Sequence, residues 1–118
     1  MANSRIDVEA VSPLSVEVAS RSCFFCLPIR EIFGMIEQYQ EITLIYTRLL
    51  IEAMDKQWQL KKVLNQCTAM QRYQWFLEEY PGLIRKVNHR HIASFLGMTP
   101  VTLSRLRRAI REEHSRKE

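Results

Sequence analysis

Apolar and polar positions change period along the chain. Near the amino end Ile6, Val8, Ala10 or Val11, Leu14, Val16 and Val18 alternate with Asp7, Glu9, Ser15, Glu17 and Ala19, with an interruption at Ser12 and Pro13. A period of two predicts short strands. Two strands alone are not stable in water, so this stretch is expected to be a fragment that needs a partner sheet. After Ser20, Arg21 and Ser22 the spacing becomes helical. A short helix is predicted over 28–38, with Pro28 in its first turn and Ile29, Ile32, Phe33 and Ile36 on one face. A longer one is predicted over 39–66, where Ile42, Ile45, Tyr46, Leu49, Leu50, Ala53, Met54, Trp58, Leu60, Val63 and Leu64 recur at intervals of three and four. Such a stripe calls for burial. At roughly 1.5 Å per residue the helix is a rod of about 40 Å, longer than a domain this small covers by itself. A second copy in a coiled-coil-like dimer is the simplest cover, and packing within the chain is the alternative.

A third helix is predicted from Thr68 or Ala69 to Tyr80, with Tyr73, Phe76 and Leu77 inward and Pro81 and Gly82 ending it. A loop or wing-like connection is expected to follow, up to Val87. Residues 87–113 then read as a helix-turn-helix. Asn88 suits a helix cap. Ile92, Phe95 and Leu96 form an inner face, and Ala93 is small enough for a close helix crossing. Gly97 supplies the positive φ that a tight turn needs. Thr99 and Pro100 form a paired start signal, a capping hydroxyl followed by a residue preset for the first helical position. In the second helix, over 100–112, Leu103, Leu106 and Ile110 are inward. Thr102, Ser104, Arg105, Arg108 and Arg111 are left facing outward.

Charge sharpens this picture. Residues 1–80 carry eight Lys or Arg against ten Asp or Glu, whereas residues 81–118 carry nine against three. A compact basic block is what a phosphate-backbone partner selects, because each neutralised phosphate releases counterions, although membrane surfaces and acidic proteins would also satisfy it. Arginine can bind guanine bidentately in the major groove, and hydroxyls near a helix start can hold phosphate. With 118 residues, 47% hydrophobic and 25% charged, the chain is expected to be one compact domain or a small domain plus an arm. Three cysteines in such a chain do not suggest a disulfide framework, and no signal peptide or spanning segment is visible, so a cytoplasmic location is expected.

The run Ile92-Ala93-Ser94-Phe95-Leu96-Gly97-Met98-Thr99-Pro100-Val101-Thr102-Leu103-Ser104-Arg105-Leu106-Arg107 resembles the DNA-binding motif of the bacterial Crp/Fnr family, often I-A-x-x-L-G-x-T-x-x-T-L-S-R. The preceding Arg72-Tyr73-Gln74-Trp75-Phe76-Leu77-Glu78-Glu79-Tyr80-Pro81 is similar to that family's R-Y-x-x-L-L-x-x-Y-P stretch. The resemblance covers residues 6–110. It implies a mainly α chain with a long dimerisation helix, a winged-helix-like helix-turn-helix domain and a short β remnant. Residues 1–22 would be the end of an effector-domain β-roll, 23–66 the short and dimerisation helices, and 67–118 the DNA-binding domain. It further implies a sequence-specific transcription regulator. As a homodimer it would place two recognition helices in successive major grooves of a palindromic double-stranded site, with RNA polymerase as a further partner. Arg90, Thr99, Val101, Thr102, Ser104, Arg105, Arg108 and Arg111 are the implied DNA-binding residues, Arg105 being the main base reader. Pro100 and Val101 depart from the polar residues usual there; they can offer a thymine methyl an apolar contact, and direct readout then rests on Arg105 and Arg108. The chain also lacks the glycine-containing phosphate cassette of a cyclic-nucleotide site. A truncated or shortened gene product that does not bind cyclic AMP is therefore expected.

Rival signals are weaker. Cys23-Phe24-Phe25-Cys26 is a C-x-x-C, but a second pair is missing, so three buried or half-buried thiols are expected rather than a metal or redox centre. His89 and His91 point to different faces of a helix and suit solvent or phosphate better than a metal. No nucleophile elbow, phosphate-binding loop or catalytic carboxylate pair occurs. Neither an enzyme nor a cofactor or metal site is expected. The alternative function is a helical interaction and dimerisation module with non-specific nucleic-acid binding.

Overall fold

In a computed structural model, Val11 and residues 14–117 are described, and they are mainly helical. The order is α1 (Ile29–Gln38), α2 (Gln40–Gln66), α3 (Ala69–Glu79), a 3-10 turn (Leu83–Arg85), α4 (His89–Phe95) and α5 (Pro100–Lys117). No helix among the described residues is long and apolar enough to cross a membrane. The chain divides into two compact units within α2, one ending at Ala53 and the other starting at Met54. The last turns of α2 pack as part of the carboxy-terminal unit, with Val63 buried there.

In the amino-terminal unit, Pro28 stands one residue before α1 and its carbonyl accepts from the N–H groups of Glu31 and Ile32. Proline is therefore the cap rather than a first-turn residue. A single extended residue, Tyr39 (φ −129°, ψ 113°), separates α1 from α2. Phe33 of α1 meets Tyr46 of α2 edge-on, with ring centroids 6.3 Å apart. None of the α1 residues is buried. The apolar stripe of α2, expected to be covered, lies open in the single chain at Ile45, Leu49 and Leu50 in this unit, and at Met54 where the next unit begins. The alternation expected to form strands has no strand at Val11 or over residues 14–19; Ile6, Val8, Ala10, Ser12 and Pro13 lie outside the described residues.

The carboxy-terminal unit has a closed core. Thr68 caps α3 in a reciprocal box: its hydroxyl accepts from the Gln71 N–H, and its own N–H donates to the Gln71 side chain. The T-x-x-Q spacing announces this arrangement. Tyr73 and Phe76 of α3, Ile92 and Ala93 of α4, Leu96 at its end and Leu103 of α5 form the buried cluster. Leu106, Ile110, Met98 and Leu77 pack around it. Ala93 is fully buried, as a close crossing of α4 and α5 requires. Phe95, expected inside, is at the rim, where it stacks on Trp75 (6.4 Å, 17°) and meets Phe76 and Tyr80 edge-on. Burial raises the Tyr73 hydroxyl above its ordinary pKa, an effect that the nearby Arg107 and Arg111 cations partly offset.

The connection from Pro81 to Val87 is a turn and one 3-10 helix. Gly82 (φ 78°) makes the turn, and the N–H groups of Leu83, Arg85, Lys86 and Val87 all donate to carbonyls within four residues. Those donors are spent locally, so this segment offers no strand ladder and no wing strand occurs among the described residues.

Candidate nucleic-acid interface

The site is built around the turn between α4 and α5. Asn88 starts α4, its side-chain oxygen accepting from the Arg90 N–H at 3.0 Å. The helix closes with a two-bond motif: Met98 N–H donates to the Ala93 carbonyl (2.9 Å) and Gly97 N–H to the Ser94 carbonyl (3.1 Å). This needs a left-handed residue at the corner, and Gly97 has φ 64°. Met98 then packs on the core, adding the apolar contact that accompanies such an ending.

Arg72 locks the corner from outside. Its Nη1 donates to the carbonyls of Leu96 (3.1 Å) and Gly97 (3.3 Å), and its Nε to the carbonyl of Cys67 (3.1 Å). One guanidinium thus joins the start of α3 to the end of α4. Nothing local in the sequence marks this role, since the partners lie 24 and 25 residues away.

Thr99 begins α5, its hydroxyl accepting from the Thr102 N–H at 3.2 Å and sharing a second bond with the Thr102 hydroxyl at 2.9 Å. Both hydroxyls are therefore engaged in the helix start, and Thr102 is half-buried. Val101, Ser104, Arg105, Arg108 and Arg111 are exposed along α5, and Arg90 is exposed on α4. Arg108 pairs with Glu112 at 2.9 Å, one helical turn on, so its charge is partly countered. Such exposed pairs are weak and exchange readily for another anion. Arg105 and Arg111 have no carboxylate partner among the described residues. The helix runs to Lys117, past the predicted end at residue 112.

Two residues outside the sequence-based set belong to this region. Arg107, half-buried, reaches the ring of His89 and lies beside the Tyr73 hydroxyl. A faint signal for it exists: position 107 follows Leu103 by four and precedes Ile110 by three, placing it on the margin of the buried stripe. His91 is half-buried. The thiols differ from expectation: Cys23 and Cys26 are exposed, because residues 21–28 carry no regular structure to pack them, while Cys67 is half-buried. Among the described residues no group of three or more His, Cys, Asp or Glu could hold a metal ion.

Neither a family model, nor a curated protein, nor a solved structure matches this chain.

Proposed function

We propose that the chain is a double-stranded-DNA-binding transcription regulator, with α5 as the helix that enters the major groove. One observation carries the reading. A rigid helix, fixed on its inner side by Leu103, Leu106 and Ile110, presents Val101, Ser104, Arg105, Arg108 and Arg111 to solvent on the other. Arg105 is assigned the main base contact and Arg108 a second, available once Glu112 is displaced. Arg90 and Arg111 are assigned to backbone phosphates. Thr99 and Thr102 act chiefly by shaping the start of α5, and Ser104 reaches the groove edge.

The same reading makes the open stripe of α2 a homodimer seam, setting two α5 helices about 34 to 36 Å apart on a palindromic site. It takes the alternating stretch around Val16 as the end of a Crp/Fnr-type β-roll and the carboxy-terminal helices as the helical part of a winged helix. Regulation through RNA polymerase in the cytoplasm belongs to this reading too. Its test is selection of bound sequences from a random duplex pool at two salt concentrations. An inverted repeat that survives the higher salt supports it; recovery without a motif, lost as salt rises, favours the non-specific interaction module. On the selected site Arg105→Ala costs about 1 to 3 kcal/mol and relaxes sequence preference, whereas Arg111→Ala weakens all sequences alike. Equal effects of the two variants on every sequence would remove the assignment of Arg105.

A further inference from the structure

Beside the recognition helix lies an open cleft of about 530 Å³, bounded by the 3-10 turn, the first residues of α4 and the second turn of α5. Ile84 and Val87 contribute to its wall, and its polar lining is Arg85, Asn88, His89 and Arg107. No carboxylate lines it. Among the described residues neither Arg85 nor Arg107 forms an ion pair with an acid. Arg107 is half-buried as a residue, and charged side chains drawn out of water tend to be paired. Its neighbours are instead a histidine ring and a tyrosine hydroxyl, with no carboxylate among them. The Asn88 side chain is already committed to capping α4. Arg85, His89 and Arg107 remain to meet a ligand.

The character of that ligand follows from what the cleft adjoins. Arg107 also lines the groove along α5 formed with Ser104, Arg108, Arg111 and Glu112, the last paired with Arg108. One side chain therefore belongs both to the cleft and to the face assigned to the major groove. An anion here is held at the edge of that face, next in sequence to Arg108 and two residues from Arg105. In a duplex, what flanks the groove floor at its edge is the phosphodiester backbone.

We propose that the cleft of Arg85, His89 and Arg107 seats one phosphate of the DNA backbone bordering the groove that α5 reads, an inference that rests on the DNA-binding reading above. Arg107 fixes the position of the phosphate because packing fixes Arg107, and the His89 ring that it touches and Arg85 of the 3-10 turn complete the seat. The contact supplies affinity and register, without sequence preference.

The test uses the full chain on its selected duplex, comparing wild type with the double variant Arg85→Gln, His89→Gln, both exposed positions whose exchange leaves the core intact, and with Lys117→Gln as a charge-removal reference. The expected result is a fall of about 0.9 in the slope of log affinity against log salt for the double variant, with the same fold loss on all sequences. Duplexes carrying single neutral methylphosphonates then locate the contact: one position per half-site weakens wild type but not the double variant. If wild type binds duplex DNA and the double variant keeps both its salt slope and its sensitivity to every methylphosphonate, the cleft assignment is wrong and the DNA-binding reading stands. If wild type does not bind duplex DNA, both fall together.

Discussion

The two units handle the same residue types in opposite ways. In the carboxy-terminal unit Leu96 and Leu103 are wholly enclosed, and polar groups at the helix ends are bonded locally or to Arg72. In the amino-terminal unit Ile45, Leu49 and Leu50 of α2 are 56%, 59% and 47% exposed, although the stripe they belong to is as regular. Helical periodicity therefore identifies which face of a helix is apolar, but not what covers it. Cover depends on whether neighbouring elements are short enough to fold back, and three helices joined by tight turns can do this where one long rod cannot.

Identical substitutions on the two sides test the contrast most strongly. Leu103→Ala is expected to remove about 2 to 5 kcal/mol, a loss independent of protein concentration, as read by thermal unfolding under circular dichroism. Leu49→Ala is expected to have little effect in dilute solution and a growing one as concentration rises, if a second copy covers that face. A concentration-independent loss at Leu49 matching that at Leu103 would show that the chain covers its own stripe. Next in size, Arg72→Met strips the Cys67, Leu96 and Gly97 carbonyls of their donor. It is expected to cost about 1 to 3 kcal/mol and to speed amide exchange at Gly97 and Met98, with α1 unaffected.

The smallest effect is silent at neutral pH. Because Tyr73 holds its proton more tightly in the folded chain than at its ordinary value near pH 10, its contribution is complete below that pH and is lost as pH climbs through the raised value. The difference in urea-unfolding stability between wild type and Tyr73→Phe should thus be flat from pH 7 to about 9 and change only above pH 10. A change centred at neutrality would show that another group is responsible.

The site was legible in the sequence wherever its causes are local. Asn88, Gly97, Thr99 and the spacing of Leu103, Leu106 and Ile110 each act within a few residues, and each stands where its spacing places it. What stayed hidden depends on distance in sequence. Arg72 was visible only as part of a motif, since its carbonyl partners are contributed by the far end of α4. Arg107 was visible only as the last residue of the motif over 92–107, because its half-buried setting depends on where His89 and Tyr73 fall in space. The alternation at Val16 and Val18 misleads for a related reason: a period of two marks backbone suited to a ladder, and no second strand occurs among the described residues to form one. Cys23 and Cys26 fail similarly, as burial needs an element to pack against.

The locality of the carboxy-terminal unit also has a kinetic side. The hydrogen bonds that tie its helices together reach 18 to 25 residues along the chain, so assembling the α4–α5 corner closes only short loops. Topologies of this kind fold in microseconds to milliseconds. Temperature-jump relaxation of Trp75 fluorescence should fall in that range, and a phase of seconds would indicate that assembly waits on contacts beyond this unit. Opening is expected to be reversed faster than a protease can cut. Resistance to digestion would then report the equilibrium between closed and open helices rather than the rate of opening.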